Sequence, residues 1–140
     1  MREILFRGKT NYEGKDAEWV YGGLLPESAS TFPIIVRDYD NDEEWIGVID
    51  WATVDPETVG QYTGLTDKNG NKIFEGDILE FSDRLVSVFW HAHLGCWDSN
   101  FLKYTNQDNG REDMSPCRWE YRAKVIGNIH DNPELLEDKK

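Results

Sequence analysis

Asn69-Gly70 stands between two short runs of β-forming residues, and an Asn-Gly pair supplies the positive φ angles of a tight hairpin turn. Upstream, Asp67 is placed to fold its carboxylate back onto the backbone N–H groups of that turn. Downstream, Gly76-Asp77 reads as a second reversal that feeds Ile78 into the next strand. Residues Thr63 to Phe81 therefore read as a glycine-punctuated hairpin with a further strand attached. Turn geometry accounts for these glycines, for Asn69 and for Asp67 without an active site.

The rest of the chain follows the same pattern. Helical periodicity is nearly absent, and short β-branched and aromatic runs are separated by Gly, Pro and Asn/Asp clusters, as in an all-β sandwich or barrel. Strands are predicted near Ile4 to Arg7, Trp19 to Leu24, Ile34 to Arg37 and Trp45 to Trp51. A second series is predicted near Gln61 to Thr63, Lys72 to Phe74, Asp77 to Phe81, Val86 to His91, Asn100 to Tyr104 and Tyr121 to Ile129. Alternation in the strand at Val86 puts Val86, Val88 and Trp90 on one face and Ser87 and Phe89 on the other. Asp55-Pro56-Glu57 and Asn132-Pro133-Glu134 each place a capping side chain before a proline, which predicts one or two helical turns. The polar stretch between Tyr104 and Trp119, with Asn109-Gly110 and Ser115-Pro116, reads as a long hairpin tip or a loop.

At 140 residues the chain has the length of one domain or of two small sub-structures, divided here into 1–60 and 61–140 and expected to form one unit. Six Trp, six Tyr and six Phe supply enough apolar surface for a core, which sets the disordered class aside. The 27 acidic residues exceed the 15 basic ones by 12, so the field of the whole chain repels nucleic-acid phosphates and anionic membranes. No run approaches the ~18 apolar residues of a membrane span, and Arg2-Glu3 leads straight into Ile4, so a cytoplasmic protein is expected. Cys96 and Cys117 have no close-spaced partner and read as reduced thiols.

Several segments invite a functional reading. Asp38, Asp40, Asp42, Glu43, Glu44, Asp50, Asp55 and Glu57 fall within twenty residues free of Lys and Arg. The opening spacing imitates a calcium loop, but Glu43 stands where the sharp-turn glycine belongs and Ile49 where the bidentate ligand belongs. The same strip, interleaved with Tyr39, Trp45 and Trp51, has the character of a surface that captures a basic protein. The plainer alternative is a solvated hairpin tip with Trp45 and Trp51 buried in the following strand. His91, His93 and Cys96 suggest a transition-metal site, yet no fourth ligand is identifiable and the turn at Gly95 explains them without metal. Arg118, Arg122 and Lys124, interleaved with Trp119 and Tyr121, resemble an aromatic and basic surface for single-stranded nucleic acid, or simply an exposed strand face. No nucleophile motif, phosphate loop or metalloprotease helix is present, so no catalytic residue and no cofactor is assigned.

The hairpin segment from Gln61 to Ile78 resembles the signature of the YopX family of bacteriophage and prophage proteins. Val125-Ile126-Gly127-Asn128-Ile129-His130-Asp131-Asn132-Pro133-Glu134-Leu135-Leu136 is similar to the C-terminal motif of that family, with His130 where an aromatic is usual. Met1-Arg2-Glu3-Ile4-Leu5-Phe6-Arg7 is similar to its usual start. The resemblance implies an all-β fold with a C-terminal small barrel of the Src-homology-3 type, short helical turns, a phage origin and no catalytic set. The expectation is a non-enzymatic binding protein with a protein partner, self-association being left open; the alternatives are a nucleic-acid-binding small barrel, which the net charge disfavours, and a small metal-dependent enzyme.

Overall fold

The computed structural model describes residues 3–25, 32–37, 50–105 and 114–136. They form ten strands and a few short helical turns in two compact units, Met1–Tyr62 and Thr63–Lys140. The strands pair antiparallel in all the described registers. The fold is therefore all-β.

In the first unit β1 (Phe6–Lys9), β2 (Trp19–Leu25), β3 (Ile34–Arg37), β4 (Asp50–Thr53) and the start of β5 (Gly60–Thr66) pair in the order β4-β3-β2-β1-β5. Leu24 lies opposite Ile35, and Ile35 opposite Ala52, so these three share a face. That face carries the buried cluster of Val20, Ile35, Ala52 and Val54, against which Phe6, Leu24 and Val59 pack. Fully burying a side chain of this size stabilises the fold by about 1.5–3 kcal/mol. The sheet curls, because Val54 forms an isolated bridge back to Thr10 and the Asp55 N–H donates to the Lys9 carbonyl at 2.9 Å. Gly8 permits that approach: a Cβ there would meet Val54 Cβ at 2.9 Å. The expected helical turn at Asp55 is a 3-10 turn over Pro56–Thr58, with the Asp55 carboxylate accepting from the Glu57 N–H at 3.1 Å.

In the second unit β7 (Asp77–Glu80), β8 (Arg84–His91), β9 (Cys96–Tyr104) and β10 (Lys124–Asn128) form a sheet in the order β10-β7-β8-β9, and β6 (Lys72–Phe74) neighbours β5. The core is Ile73, Leu79, Phe81, Val86, Val88, Trp119 and Ala123. Trp119 opens a single helical turn, α1 (Trp119–Arg122), and its Nε1–H donates to the Met114 carbonyl at 2.9 Å. This sheet is open: β9 and β10 are its two edges, and the described residues do not close it into the Src-homology barrel that the family resemblance implies.

The structure corrects the sequence reading at four places. Tyr121 and Arg122 belong to α1 and not to a strand, because burying Trp119 and Ala123 at a spacing of four demands a helical turn, which the Ala123 N–H closes onto the Trp119 carbonyl. The strand expected from Asn100 begins at Cys96, since His91 pairs with Cys96 across a short turn. Trp51 is exposed and not buried, because Ala52 takes the core-facing position of β4. The expected turn after Asn132 is a 3-10 turn, Pro133–Leu136, which the Leu135 N–H closes onto the Asn132 carbonyl at 3.0 Å, but the Asn132 side chain does not cap it: its carboxamide oxygen accepts from the Asn128 N–H at 3.1 Å. Residues 38–49, with Trp45, and residues 106–113 lie outside the described residues.

Candidate functional site

The hairpin turn between β5 and β6 is built on Asp67, which is almost wholly buried. One carboxylate oxygen accepts from the N–H groups of Asn69 and Asn71, both at 2.9 Å, which is the local folding-back that the sequence predicts. Gly70 completes the reversal at φ 82°. The other oxygen accepts from the Val125 N–H at 2.9 Å, a bond to β10 that spans 58 residues. Burial works to raise the Asp67 carboxyl, but the N–H groups of Val125, Asn71 and Asn69 together outweigh it and hold the group below its ordinary 3.8. The neighbouring Lys68 donates its N–H to the Ala123 carbonyl at 2.9 Å. The turn is thereby fastened both to the end of α1 and to the start of β10.

A second anchor lies at the turn between β7 and β8. Arg84 forks onto Asp83, with Nε donating to Oδ1 and a terminal nitrogen to Oδ2, both at 2.7 Å. These hydrogen bonds pull the Asp83 carboxyl below its ordinary range against the opposing effect of burial. The Thr105 N–H donates to the Asp83 carbonyl at 2.8 Å, and the Phe81 N–H donates to the Arg84 carbonyl at 2.9 Å. The end of β9 is thus tied to the same turn.

These anchors frame an open cleft of about 480 Å³ lined by Lys68, Glu80, Phe81, Ser82, Thr105, Tyr121 and Arg122. The hairpin turn contributes Lys68, β7 and the turn after it contribute Glu80, Phe81 and Ser82, and α1 contributes Tyr121 and Arg122. The lining residues include two basic and one acidic residue, two hydroxyl-bearing residues and Tyr121, which is 68% exposed. Such a lining suits a polar anionic ligand.

Of the predicted basic residues only Arg122 reaches this cleft. Arg118 precedes α1, and Lys124 pairs in register with Glu80 across β10 and β7. Asp38, Asp40, Asp42, Glu43, Glu44 and Trp45 lie outside the described residues. His91 ends β8 and its Nδ1 accepts from the Leu94 N–H at 3.2 Å, while the His93 ring stands 6.3 Å away between centroids. Among the described residues no three His, Cys, Asp or Glu side chains gather to hold a metal ion. Cys96 and Cys117 are free and exposed. No helix among the described residues is long and apolar enough to cross a membrane.

The first unit carries a different kind of surface. Side chains alternate across a strand, so the positions between core residues point to the other face. Tyr21, Leu25 and Trp51 occupy that face and are 45%, 48% and 55% exposed. Val36 lies in register with Trp51, and Ile34 with Leu25, between the exposed positions. At one side the Arg7 guanidinium lies 4.6 Å from the centre of the Trp19 ring.

No curated protein matches the chain. Its fold is similar to the crystal structure of protein EF1440 from Enterococcus faecalis, with 25% identity and a TM-score of 0.53 over 98% of this chain and 100% of that one. The family model described as YopX protein matches residues 5–137. The chain belongs to the YopX family.

Proposed function

We propose that this YopX-family chain is a phage or prophage accessory protein that acts in the cytoplasm of a bacterial host by binding another protein, without catalysis. The observation that carries this reading is the exposure of Trp51 on one sheet face with Tyr21 and Leu25. Large aromatics in such a position are costly to leave in water and are the residues that anchor protein interfaces. Trp51 also belongs to the strip from Asp38 to Glu57, whose eight carboxylates meet no Lys or Arg in sequence. Aromatic anchors that adjoin a run of acidic residues in sequence favour a partner rich in Lys and Arg.

The test is recovery of partners by a tagged full-length chain from cells carrying the parent prophage or phage. The expected outcome is a basic protein retained at low salt, released as salt rises, and lost when Tyr21 and Trp51 are both changed to alanine. Both side chains lie on the exposed face, so the double variant should melt near the parent temperature. Recovery of no partner at low salt would sink the reading, as would undiminished recovery by a folded double variant.

A further inference from the structure

The cleft belongs to the second unit and the aromatic face to the first, and their chemistries differ. We infer that the cleft is a binding site for a small organic phosphate carrying a flat ring, of the size of a nucleoside monophosphate. Three observations converge on that class. Lys68 and Arg122 enter the same cleft from elements far apart in sequence, which gives a local excess of positive charge in a chain whose net charge is −12. Guanidinium and ammonium groups are the side chains that bind phosphate oxygens, the first as a fork and the second as a point charge. The volume of about 480 Å³ lies within the usual range of small-ligand sites.

The second observation is Tyr121. Its ring is 68% exposed and stands beside Arg122 on a helical turn whose position is set by the buried Trp119. An exposed ring lining the same cleft as two basic residues offers a platform on which a nucleobase can stack while its phosphate is neutralised. Ser82 and Thr105 also line the cleft and are residue types that bond phosphate or sugar oxygens, and Glu80 is an acceptor type for ring or sugar N–H and O–H groups.

The third observation is that the walls are built in advance. Lys68 is held through its own N–H on Ala123 and through Asp67 on Val125. Thr105 is held by its N–H on Asp83, which Arg84 clamps from the side. Binding therefore does not have to order the backbone around the ligand, which removes much of the cost of capturing a small molecule. The negative field of the whole chain acts mainly at a distance. At physiological salt it is screened beyond about 8 Å, so the groups within the cleft decide the bound state.

The experiment is a titration of the full-length protein with adenosine monophosphate, adenosine and inorganic phosphate, followed by calorimetry and by amide chemical-shift changes. Adenosine monophosphate is expected to bind, to shift the amides of Lys68, Ser82, Tyr121 and Arg122, and to weaken as salt rises. Adenosine alone should bind about tenfold more weakly, because it lacks the charge-assisted contacts. Inorganic phosphate should also bind about tenfold more weakly, because it cannot stack on Tyr121. Lys68→Ala and Arg122→Gln should each reduce affinity for the nucleotide by about tenfold, and Tyr121→Ala, which removes the stacking ring, should reduce it by about tenfold as well. The backbone contact of Lys68 survives its truncation, and a melting curve on each variant confirms the fold. No binding of the nucleotide at millimolar concentration would overturn the proposal. So would equal affinity for nucleotide and nucleoside, or shifts confined to residues of the first unit. Inorganic phosphate binding as tightly as the nucleotide would also overturn it by removing the ring. These arms leave the first unit untouched, so their failure does not bear on the protein-binding reading, and the Tyr21 and Trp51 variants do not bear on the cleft.

Discussion

The buried carboxylate of Asp67 ties the turn between β5 and β6 to β10. Asp67 satisfies the N–H groups of Asn69, Asn71 and Val125, and removing one buried acceptor leaves several donors without a partner. Asp67→Asn keeps the shape but replaces one accepting oxygen by a donor that meets an N–H. It is expected to lower unfolding free energy by about 2 kcal/mol, read from the urea midpoint. The pH dependence has a definite sign. Because the folded carboxyl titrates below its ordinary 3.8, the unfolded state binds more protons in the acid range, so stability rises with pH there. The contribution of Asp67 is fully present above the unfolded value and is lost as pH falls through the folded one. Asp83 is shifted the same way by Arg84 and adds to the same acid loss. Stability measured from pH 6 to pH 2 should therefore fall less steeply in Asp67→Asn than in the parent. An identical slope in the two would refute the assignment.

At the scale of elements, α1 shows how the second unit places chemistry with very little helix. Four residues cannot hold a helical turn by hydrogen bonding alone, since nucleation costs more than one turn returns. The turn persists because Trp119 is fully buried with its indole N–H on the Met114 carbonyl, and because Ala123 is buried at its end. Trp119→Ala is expected to cost about 3–5 kcal/mol in denaturant unfolding. In any folded fraction Tyr121 and Arg122 would lose their fixed place in the cleft. This element also shows what sequence can reveal. The hairpin, the strands at Ile34–Arg37 and Lys72–Phe74 and the turn at Asp55 are local, and their Asn-Gly, β-branched and Asp-Pro signals sit within a few residues. Tyr121 and Arg122 read as the start of a strand because alternation of bulky and basic residues over so short a stretch fits either period. The cleft was less legible still. Arg122 stood out in the basic cluster, but Lys68, Ser82 and Thr105 are ordinary turn and strand-end residues until long-range bonds bring them together. The burial expected for Trp51 fails for a related reason: whether a strand tryptophan faces the core depends on register, and Ala52 holds that position here.

For the whole molecule, the dominant fact is 27 acidic against 15 basic residues. A charge of −12 repels itself most when the chain is compact, which weakens the folded state at low salt. Raising ionic strength from 0.01 M to 0.15 M shortens the screening length from about 30 Å to about 8 Å. The melting temperature should therefore rise by a few degrees over that range, since about 1 kcal/mol moves the midpoint of a domain of this size by roughly 2–6 °C. Capture of a basic partner depends on the same field with the opposite sign, because screening removes the attraction that steers and holds the complex. Salt should thus stabilise the free chain and weaken the complex within one titration. Thermal melting of the chain alone and binding to the recovered partner, measured in the same buffers, read the two slopes separately. A melting temperature that falls with salt would show that attractive pairs, and not net repulsion, govern the folded chain. Binding that does not weaken would show that the partner is recognised by the apolar face alone, through Tyr21, Leu25 and Trp51, with the acidic strip serving only solubility.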